Sequence, residues 1–406
     1  MPGNSRARQK PALSIFALLL VTASPIHPGS ANSVLWTAPA LLLASMMIAW
    51  GAESAQFFMA QGFALAILAL LQTMPEFAVE AVLAWHQQTQ YLLANLTGAL
   101  RLLIGLGWPM IYCTAAIAHR RRYRKPLNGI HLAADQSVQV IGVMACIAYV
   151  FVIWLKASLN LFDACILIAI YVAYLIVLRR IPAEEAEHIE DLGAIPRAVV
   201  LARKPVRVFS IGALFAAGGA LIFFLAEPFL ASLFALSSLL GASEFVFIQW
   251  IAPFVSEFPE QVSAFYWARS IERAPMALMN MVSSNINQWT LLAGMLPIVL
   301  SISRGTPSAI YFDPQQRLEL LMTLGQSLVG ALILVNMELA WWEALGLFSL
   351  WAVQFGFSIS PASVATGVHW YITIAYLVWA AIEIARVALG LRKPLAFQQF
   401  AAAMRA

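Results

Sequence analysis

Charged residues are scarce in this chain: aspartate, glutamate, lysine and arginine make up 11% of its 406 residues, whereas 61% are hydrophobic. An average soluble domain has about 25% charged residues, so a soluble domain of ordinary composition is excluded. The net charge of +4 is too small to indicate nucleic-acid binding. The three cysteines lie in apolar stretches and are interpreted as small buried side chains, which excludes a disulfide framework. No histidine and cysteine spacing is typical of a zinc site, and we expect no cofactor.

Long polar segments are also few, and apolar runs of membrane-spanning length follow one another along the chain. A shorter run at 11–26 is interpreted as a retained first helix, with a signal peptide as the alternative. The sequence therefore predicts an all-α integral membrane protein of twelve spans whose partner is the lipid bilayer. The eleven longer runs lie near 34–52, 55–85, 91–117, 134–155, 158–179, 207–232, 242–268, 275–302, 318–336, 339–358 and 366–391.

Basic residues cluster in alternate loops, which indicates how the chain is oriented. Arg6, Arg8 and Lys10 precede the first apolar run, the run 119–125 holds five lysines and arginines, and the segment 179–207 is the longest polar stretch. Cytoplasmic loops carry an excess of lysine and arginine. We therefore expect a multi-pass protein of the cell (inner) membrane, with these loops and both termini in the cytoplasm.

Two of the apolar runs contain a proline followed by a glutamate, Pro75-Glu76 and Pro259-Glu260. A charged side chain at the bilayer centre costs about 2.5–3.5 kcal/mol even on permissive scales, so such residues are usually functional. Each proline removes a backbone hydrogen bond and leaves carbonyl oxygens free beside the carboxylate. Oxygen ligands of these kinds bind hard cations. The duplicated pair predicts a transporter with one ion site between two repeats.

The two halves are predicted to be inverted. Counting from the basic loops, the span at 34–52 runs from outside to inside, whereas its counterpart at 207–232 runs from inside to outside. We therefore expect two inverted repeats of about five helices each, with additional N- and C-terminal helices. The predicted units are an N-terminal basic segment with a short helix or signal anchor (1–30), the first repeat (31–180), a cytoplasmic linker (181–206), the second repeat (207–360), and a C-terminal helix and tail (361–406).

Each Pro-Glu helix is followed by a helix rich in small and amide residues, which begins with Asn95-Leu96-Thr97-Gly98 in the first repeat and Asn280-Met281-Val282-Ser283-Ser284-Asn285 in the second. This pattern resembles the sodium/calcium exchanger family of the cation/calcium antiporter superfamily, and the chain looks like a divergent prokaryotic-type member. The family pattern is a Gly-Thr-Ser-x-Pro-Glu helix followed by a Gly-Asn-x-x-Gly-Ser-Asn helix in each inverted repeat.

The resemblance implies that Glu76 and Glu260 face each other and coordinate Ca²⁺. It also implies that oxygens just before each proline, and oxygens on the following helix of repeat two, complete the coordination of the ion. The additional ligands implied in this way are Gln72, Thr73, Ser256, Glu257, Ser284 and Gln288.

The first repeat departs from the family pattern, because Ala99-Leu100-Arg101 replaces the Ser-Asn pair. A later family asparagine falls on Leu103 if the alignment has no gap, or near Arg101 if two residues are missing. Arg101 is expected either to replace a bound cation or to pair with Glu80, and Glu80 is interpreted as its structural partner rather than as a ligand. In the second repeat, Glu257 replaces a family serine and adds a carboxylate.

These features predict an antiporter that exchanges Ca²⁺ for Na⁺ by alternating access. The nearest alternative is exchange of protons for Ca²⁺ or another cation in the same fold, because burial in an apolar environment favours a protonated carboxyl group. An intramembrane enzyme is disfavoured, because the spans contain no pairing of a nucleophile with a base. A non-transporting membrane protein remains a third alternative, and it predicts no effect of ions on stability.

Overall fold

A computed structural model describes residues 29–58, 70–180, 189, 192–360 and 362–405 of the chain. The described part is almost entirely helical, with two short antiparallel sheets. The strands are β1 (Gly129–His131), β2 (Ser158–Leu159), β3 (Ile310–Tyr311) and β4 (Glu338–Ala340). The helices are α1 (Val34–Ala55), α2 (Met74–Trp85), α3 (Thr89–Tyr123), α4 (Ser137–Lys156), α5 (Leu161–Leu178), α6 (Ala194–Leu201), α7 (Lys204–Leu240), α8 (Glu244–Ser256), α9 (Phe258–Ala268), α10 (Ile271–Arg304), α11 (Pro314–Ile333), α12 (Trp341–Phe357), α13 (Ala362–Ala388) and α14 (Leu395–Ala403).

The helices agree with the predicted membrane spans. Within the described ranges, eight helices are long and apolar enough to cross a membrane. Of the remaining predicted spans, 339–358 corresponds to α12, whereas 242–268 is divided into α8 and α9 at Glu257. Of the span 55–85, residues 55–58 and 70–85 are described, the second part as α2 and the turn before it, and the run at 11–26 lies outside the described residues. The chain is therefore an all-α integral membrane protein.

The helices differ in how much of their surface the protein itself covers. In α11, 89% of the most apolar stretch is buried inside the protein, whereas in α7 the buried share is 17%. A helix that is apolar on all sides must lie either in a protein core or in lipid. We infer that α11 is a central helix and that most of α7 faces lipid.

The two small sheets relate the halves of the chain to each other. Strands β1 and β2 lie before and after α4, and β3 and β4 lie before and after α11. Strand β1 pairs with β4, and β2 pairs with β3. The start of α4 therefore lies beside the end of α11, and the end of α4 lies beside the start of α11. Because α4 and α11 correspond to the fourth predicted spans of the two halves (134–155 and 318–336), this antiparallel packing is consistent with inverted repeats.

The linker between the halves contains the short helix α6, whose residues are mostly exposed. The acidic residues that precede it in the sequence, at positions 184, 185, 187, 190 and 191, lie outside the described residues. Helix α7 follows directly and has 37 residues, which corresponds to a length of about 55 Å. It ends at Gly241, whose positive φ of 63° is readily adopted by glycine. This helix is longer than the predicted span at 207–232.

Candidate cation site

The helices that carry the two Pro-Glu pairs are broken in the same way. Thr73 and Glu257 lie two residues before the respective prolines and have nearly equal backbone angles, with φ of −79° and −87° and ψ of −4° in both. The Thr73 carbonyl accepts hydrogen bonds from the amides of Glu76 and Phe77, each at 3.1 Å. The Glu257 carbonyl accepts the two equivalent bonds in the second repeat. Each glutamate is therefore held at the start of a new helical segment.

Three glutamates from these segments lie buried beside one another. Glu76, Glu257 and Glu260 are at most 1% exposed, and their charges repel one another. Gln288 on α10 connects two of them, because its Nε2 donates to Glu76 Oε2 at 2.8 Å and to Glu257 Oε1 at 2.7 Å. No lysine or arginine forms an ion pair with the three glutamates in the part of the chain that the structure describes. The site therefore has a deficit of positive charge.

Several buried oxygens at this site lack a hydrogen-bond partner among the described residues. Buried polar groups without a partner are uncommon, and a cluster of them is typical of a site that binds an ion or ligand. Ca²⁺ takes about six to eight oxygen ligands, and the six unpartnered oxygens at this site match the lower end of that range. The oxygens are Glu76 Oε1, Glu257 Oε2, Glu260 Oε1 and Oε2, Ser284 Oγ and Gln288 Oε1.

Acidic side chains alone do not form a metal site here. Within the described ranges, no three histidine, cysteine, aspartate or glutamate side chains are close enough together to hold a metal ion. The amide of Gln288 separates Glu76 from Glu257, and Ser284 lies one helical turn before Gln288 on the same face of α10. A cation at this position would therefore need the neutral oxygens of α10 together with the carboxylates.

The other three predicted ligands are buried at the two helix breaks, but their side chains already have partners. Gln72 donates from Nε2 to Ser263 Oγ at 3.3 Å, and its Oε1 accepts from Asn280 Nδ2 at 3.1 Å. The hydroxyl of Thr73 donates to the carbonyl of Leu70, and the hydroxyl of Ser256 donates to the carbonyl of Pro253. These side chains support the breaks, and the two hydroxyl oxygens keep lone pairs for a cation.

Comparison with known proteins identifies the family of the chain. The family model for the sodium/calcium exchanger protein matches two segments of the chain, residues 34–179 and 210–360. The chain belongs to the sodium/calcium exchanger family. The family is one of transporters rather than enzymes, and the two matched segments lie within the two predicted repeats, 31–180 and 207–360. No curated protein sequence shows a significant match to the chain.

Solved structures share the fold of this exchanger. A crystal structure of the H⁺/Ca²⁺ exchanger CAX has 30% sequence identity and a TM-score of 0.85, and the match covers 97% of this chain and 96% of that one. A structure of native YfkE has 16% identity and a TM-score of 0.56, with 89% and 99% covered. The sodium-calcium exchanger NCX_Mj has 18% identity and a TM-score of 0.54, with 80% and 98% covered. The last two show the likeness of fold alone.

The π-helical turns of this exchanger decide between the two alignments of its repeats. In α3 a π-helical segment begins at Leu103, and in α10 one begins at Gln288. The two positions coincide when Asn95 and Asn280 are aligned without a gap, so Leu103 is the counterpart of Gln288. By the same alignment Ala99 is the counterpart of Ser284. The site is therefore asymmetric, because α10 supplies neutral oxygens where α3 supplies apolar side chains.

The predicted pairing of Arg101 with Glu80 is wrong. Arg101 donates from Nη1 to Glu319 Oε2 on α11, at 2.5 Å, and from Nε to the carbonyl of Thr97 at 3.0 Å. Glu80 instead accepts from Asn95 Nδ2 at 3.0 Å. On α3 the site-facing positions are 99 and 103, and position 101 points away from them because successive helical residues are about 100° apart. Arg101 therefore does not replace a cation at this site.

Glu319 is an important residue that reasoning from the sequence missed. It is a buried carboxylate within the predicted span 318–336, but no motif surrounds it. The only available signal was an acidic residue in an apolar run, which indicates a function or a partner without naming the partner.

Proposed function

We propose that this exchanger-family protein transports Ca²⁺ against protons by alternating access, and that Glu76, Glu257 and Glu260 bind the two ions in turn. The observation that carries the proposal is the set of three buried carboxylates without a cationic partner, next to the unpartnered oxygens of Ser284 and Gln288. A divalent cation would neutralise the carboxylates and would also be coordinated by the unpartnered oxygens, since Ca²⁺ accepts irregular oxygen coordination.

Charge balance supports obligatory exchange. If one of the three carboxyl groups stays protonated throughout the cycle, Ca²⁺ bound by the other two carboxylates is neutral overall, and the same two groups are also neutral when each binds a proton. With neither ion bound, two or three unpaired charges would have to move through an apolar barrier, which is costly. The empty ionised site is therefore disfavoured during reorientation, and exchange of two protons for one Ca²⁺ keeps the moving site neutral.

The asymmetry of the site favours protons over Na⁺ as the counter-ion. Na⁺ binding needs neutral oxygens in addition to carboxylates, and repeat one offers Ala99 and Leu103 where repeat two offers Ser284 and Gln288. Protonation needs no coordination shell. The 30% identical structural relative is itself an H⁺/Ca²⁺ exchanger.

Exchange of Ca²⁺ for Na⁺, which the sequence pattern predicted, is the second candidate. It is favoured by the hydroxyls of Thr73 and Ser256, which lie buried at the two helix breaks and keep lone pairs for a monovalent ion. The two candidates share the carboxylates and differ only in what neutralises them when Ca²⁺ leaves.

The test is Ca²⁺ uptake into proteoliposomes under a pH gradient alone and under a Na⁺ gradient alone. We expect uptake with the pH gradient and none with the Na⁺ gradient. Glu76→Gln and Glu260→Gln are each expected to abolish uptake while leaving the folded protein intact, because glutamine keeps the volume and removes the charge. Glu272→Gln, at an exposed residue paired with Arg122, is the control and is expected to transport normally.

Three outcomes would change the proposal. Uptake driven only by Na⁺ would establish the second candidate. Normal uptake by Glu76→Gln or Glu260→Gln would remove the carboxylates from the mechanism. No uptake by the wild-type protein under either gradient, together with no effect of Ca²⁺ on its thermal stability, would contradict Ca²⁺ transport altogether.

A further inference from the structure

A second buried polar cluster lies away from the cation site and is formed by four helices. Its centre is Glu319 on α11, whose Oε2 accepts from Arg101 Nη1 and, at 3.0 Å, from Gln249 Nε2 on α8. His369 on α13 places its Nδ1 2.9 Å from Glu319 Oε1. All four side chains are at least nine-tenths buried. We call these residues (Arg101, Gln249, Glu319 and His369) the Arg101 cluster.

The Arg101 cluster holds a π-helical turn of α8, residues Phe247–Ile251, at several points. The side chain of Gln249 is bound to Glu319, and the guanidinium of Arg101 lies 5.4 Å from the ring centroid of Trp250. The backbone of the same turn packs against Gly98 of α3, because a Cβ at Gly98 would lie 1.8 Å from the Gln249 carbonyl oxygen. The turn is therefore fixed through one backbone contact and two side chains.

The π-helical turn determines which way the end of α8 faces. A π turn accommodates one residue more than an α turn. If it relaxed to α-helix, every residue after it in α8 would rotate by about 100° around the helix axis relative to the residues before it. Ser256 and Glu257 follow the turn within six residues and belong to the cation site.

We propose that Gln249, Glu319 and Arg101 are positioning residues that hold the π-helical turn of α8 and thereby direct Glu257 towards the cation. The inference rests on the proposed function, since it assigns Glu257 to cation binding. His369 brings α13 into this arrangement, although α13 lies beyond residue 360, where the match to the family model ends. A helix outside the two repeats thus supports the geometry of the site.

The experiment is a double-mutant cycle between Gln249→Leu and Glu257→Gln, read as the Ca²⁺ concentration at half-maximal uptake. Leucine removes the amide but leaves Glu319 paired with Arg101 and His369, so no buried charge loses its cationic partner. We expect Gln249→Leu to raise the half-maximal concentration about tenfold, with the maximal rate nearly unchanged. In the Glu257→Gln background the same substitution is expected to change the half-maximal Ca²⁺ concentration less than twofold.

Gln354→Leu is the matched control, because Gln354 is also a buried glutamine and its amide bonds none of the described residues. We expect it to change uptake in neither background. If Gln249→Leu does not fold, as judged by its thermal melt, Gln249→Met replaces it, since methionine keeps an unbranched side chain of similar length. Binding measured as Ca²⁺-dependent thermal stabilisation provides the second readout.

Equal effects of Gln249→Leu in both backgrounds would overturn the inference, because the residue would then act without Glu257. No effect in the wild-type background would overturn it as well. In both cases wild-type Ca²⁺ uptake remains intact, so the proposed function stands. Absence of wild-type uptake is the separate result that removes the proposed function and the inference with it.

Discussion

Replacing Arg101 by methionine tests the buried ion pair with Glu319. Both side chains are at most 1% exposed, and Arg101 Nη1 lies 2.5 Å from Glu319 Oε2. At an effective dielectric constant of about 20, this distance corresponds to roughly 7 kcal/mol of Coulomb attraction, which the desolvation of both charges offsets in part. Arg101→Met leaves a buried carboxylate with Gln249 and His369 as its remaining partners. We expect a loss of about 3–5 kcal/mol in the free energy of unfolding.

The partner of Arg101 is identified by combining substitutions. Removing both charges, as Arg101→Met with Glu319→Leu, is expected to restore most of the lost stability, because a buried ion pair and an apolar pair of similar volume are often nearly equivalent. Arg101→Met with Glu80→Gln is expected to be additive within about 0.5 kcal/mol, because Glu80 is bound to Asn95 instead.

The measurement is equilibrium unfolding in detergent micelles, followed by tryptophan fluorescence. The reasoning would be refuted by a coupling of more than about 1 kcal/mol between Arg101 and Glu80, or by additivity between Arg101 and Glu319. The first result would restore the pairing predicted from the sequence. The second would show that the pair contributes nothing specific to the stability of the fold.

Three further predictions concern helix packing, the cation site and topology. Gly98→Ala is expected to cost at least about 1–3 kcal/mol by forcing α3 away from the Gln249 carbonyl, whereas Gly212→Ala, with open space around it, is expected to be neutral or slightly stabilising in the same unfolding assay. Gln288→Leu removes the amide that connects two carboxylates and is expected to raise the half-maximal Ca²⁺ concentration at least about tenfold, as measured by uptake; an unchanged value would contradict its role. Glu187→Cys is expected to react with a membrane-impermeant thiol reagent only after cells are opened, and labelling of intact cells would contradict a cytoplasmic linker.

The sequence alone determined the membrane class and most span positions, and it named the carboxylates of the candidate site. A lipid environment requires long apolar helices, and these are readable as runs of hydrophobic residues. A carboxylate in such a run is costly, and a proline beside it interrupts the helix, so Glu76 and Glu260 could be identified without knowledge of the fold. The order of basic loops also predicted inverted halves, in agreement with the crossed pairing of the four strands.

The tertiary structure decided which side chains meet. Gln288 contacts a carboxylate 212 positions earlier in the chain, and Arg101 pairs with a glutamate 218 positions later. These polar residues could be recognised in the sequence, but their contacts could not be predicted from it. The partner of a buried charge depends on which helix faces pack together. The π-helical turns have the same origin: each shifts a helix face by about 100°, and close packing between helices, such as that at Gly98, stabilises a turn that local residue preferences do not encode.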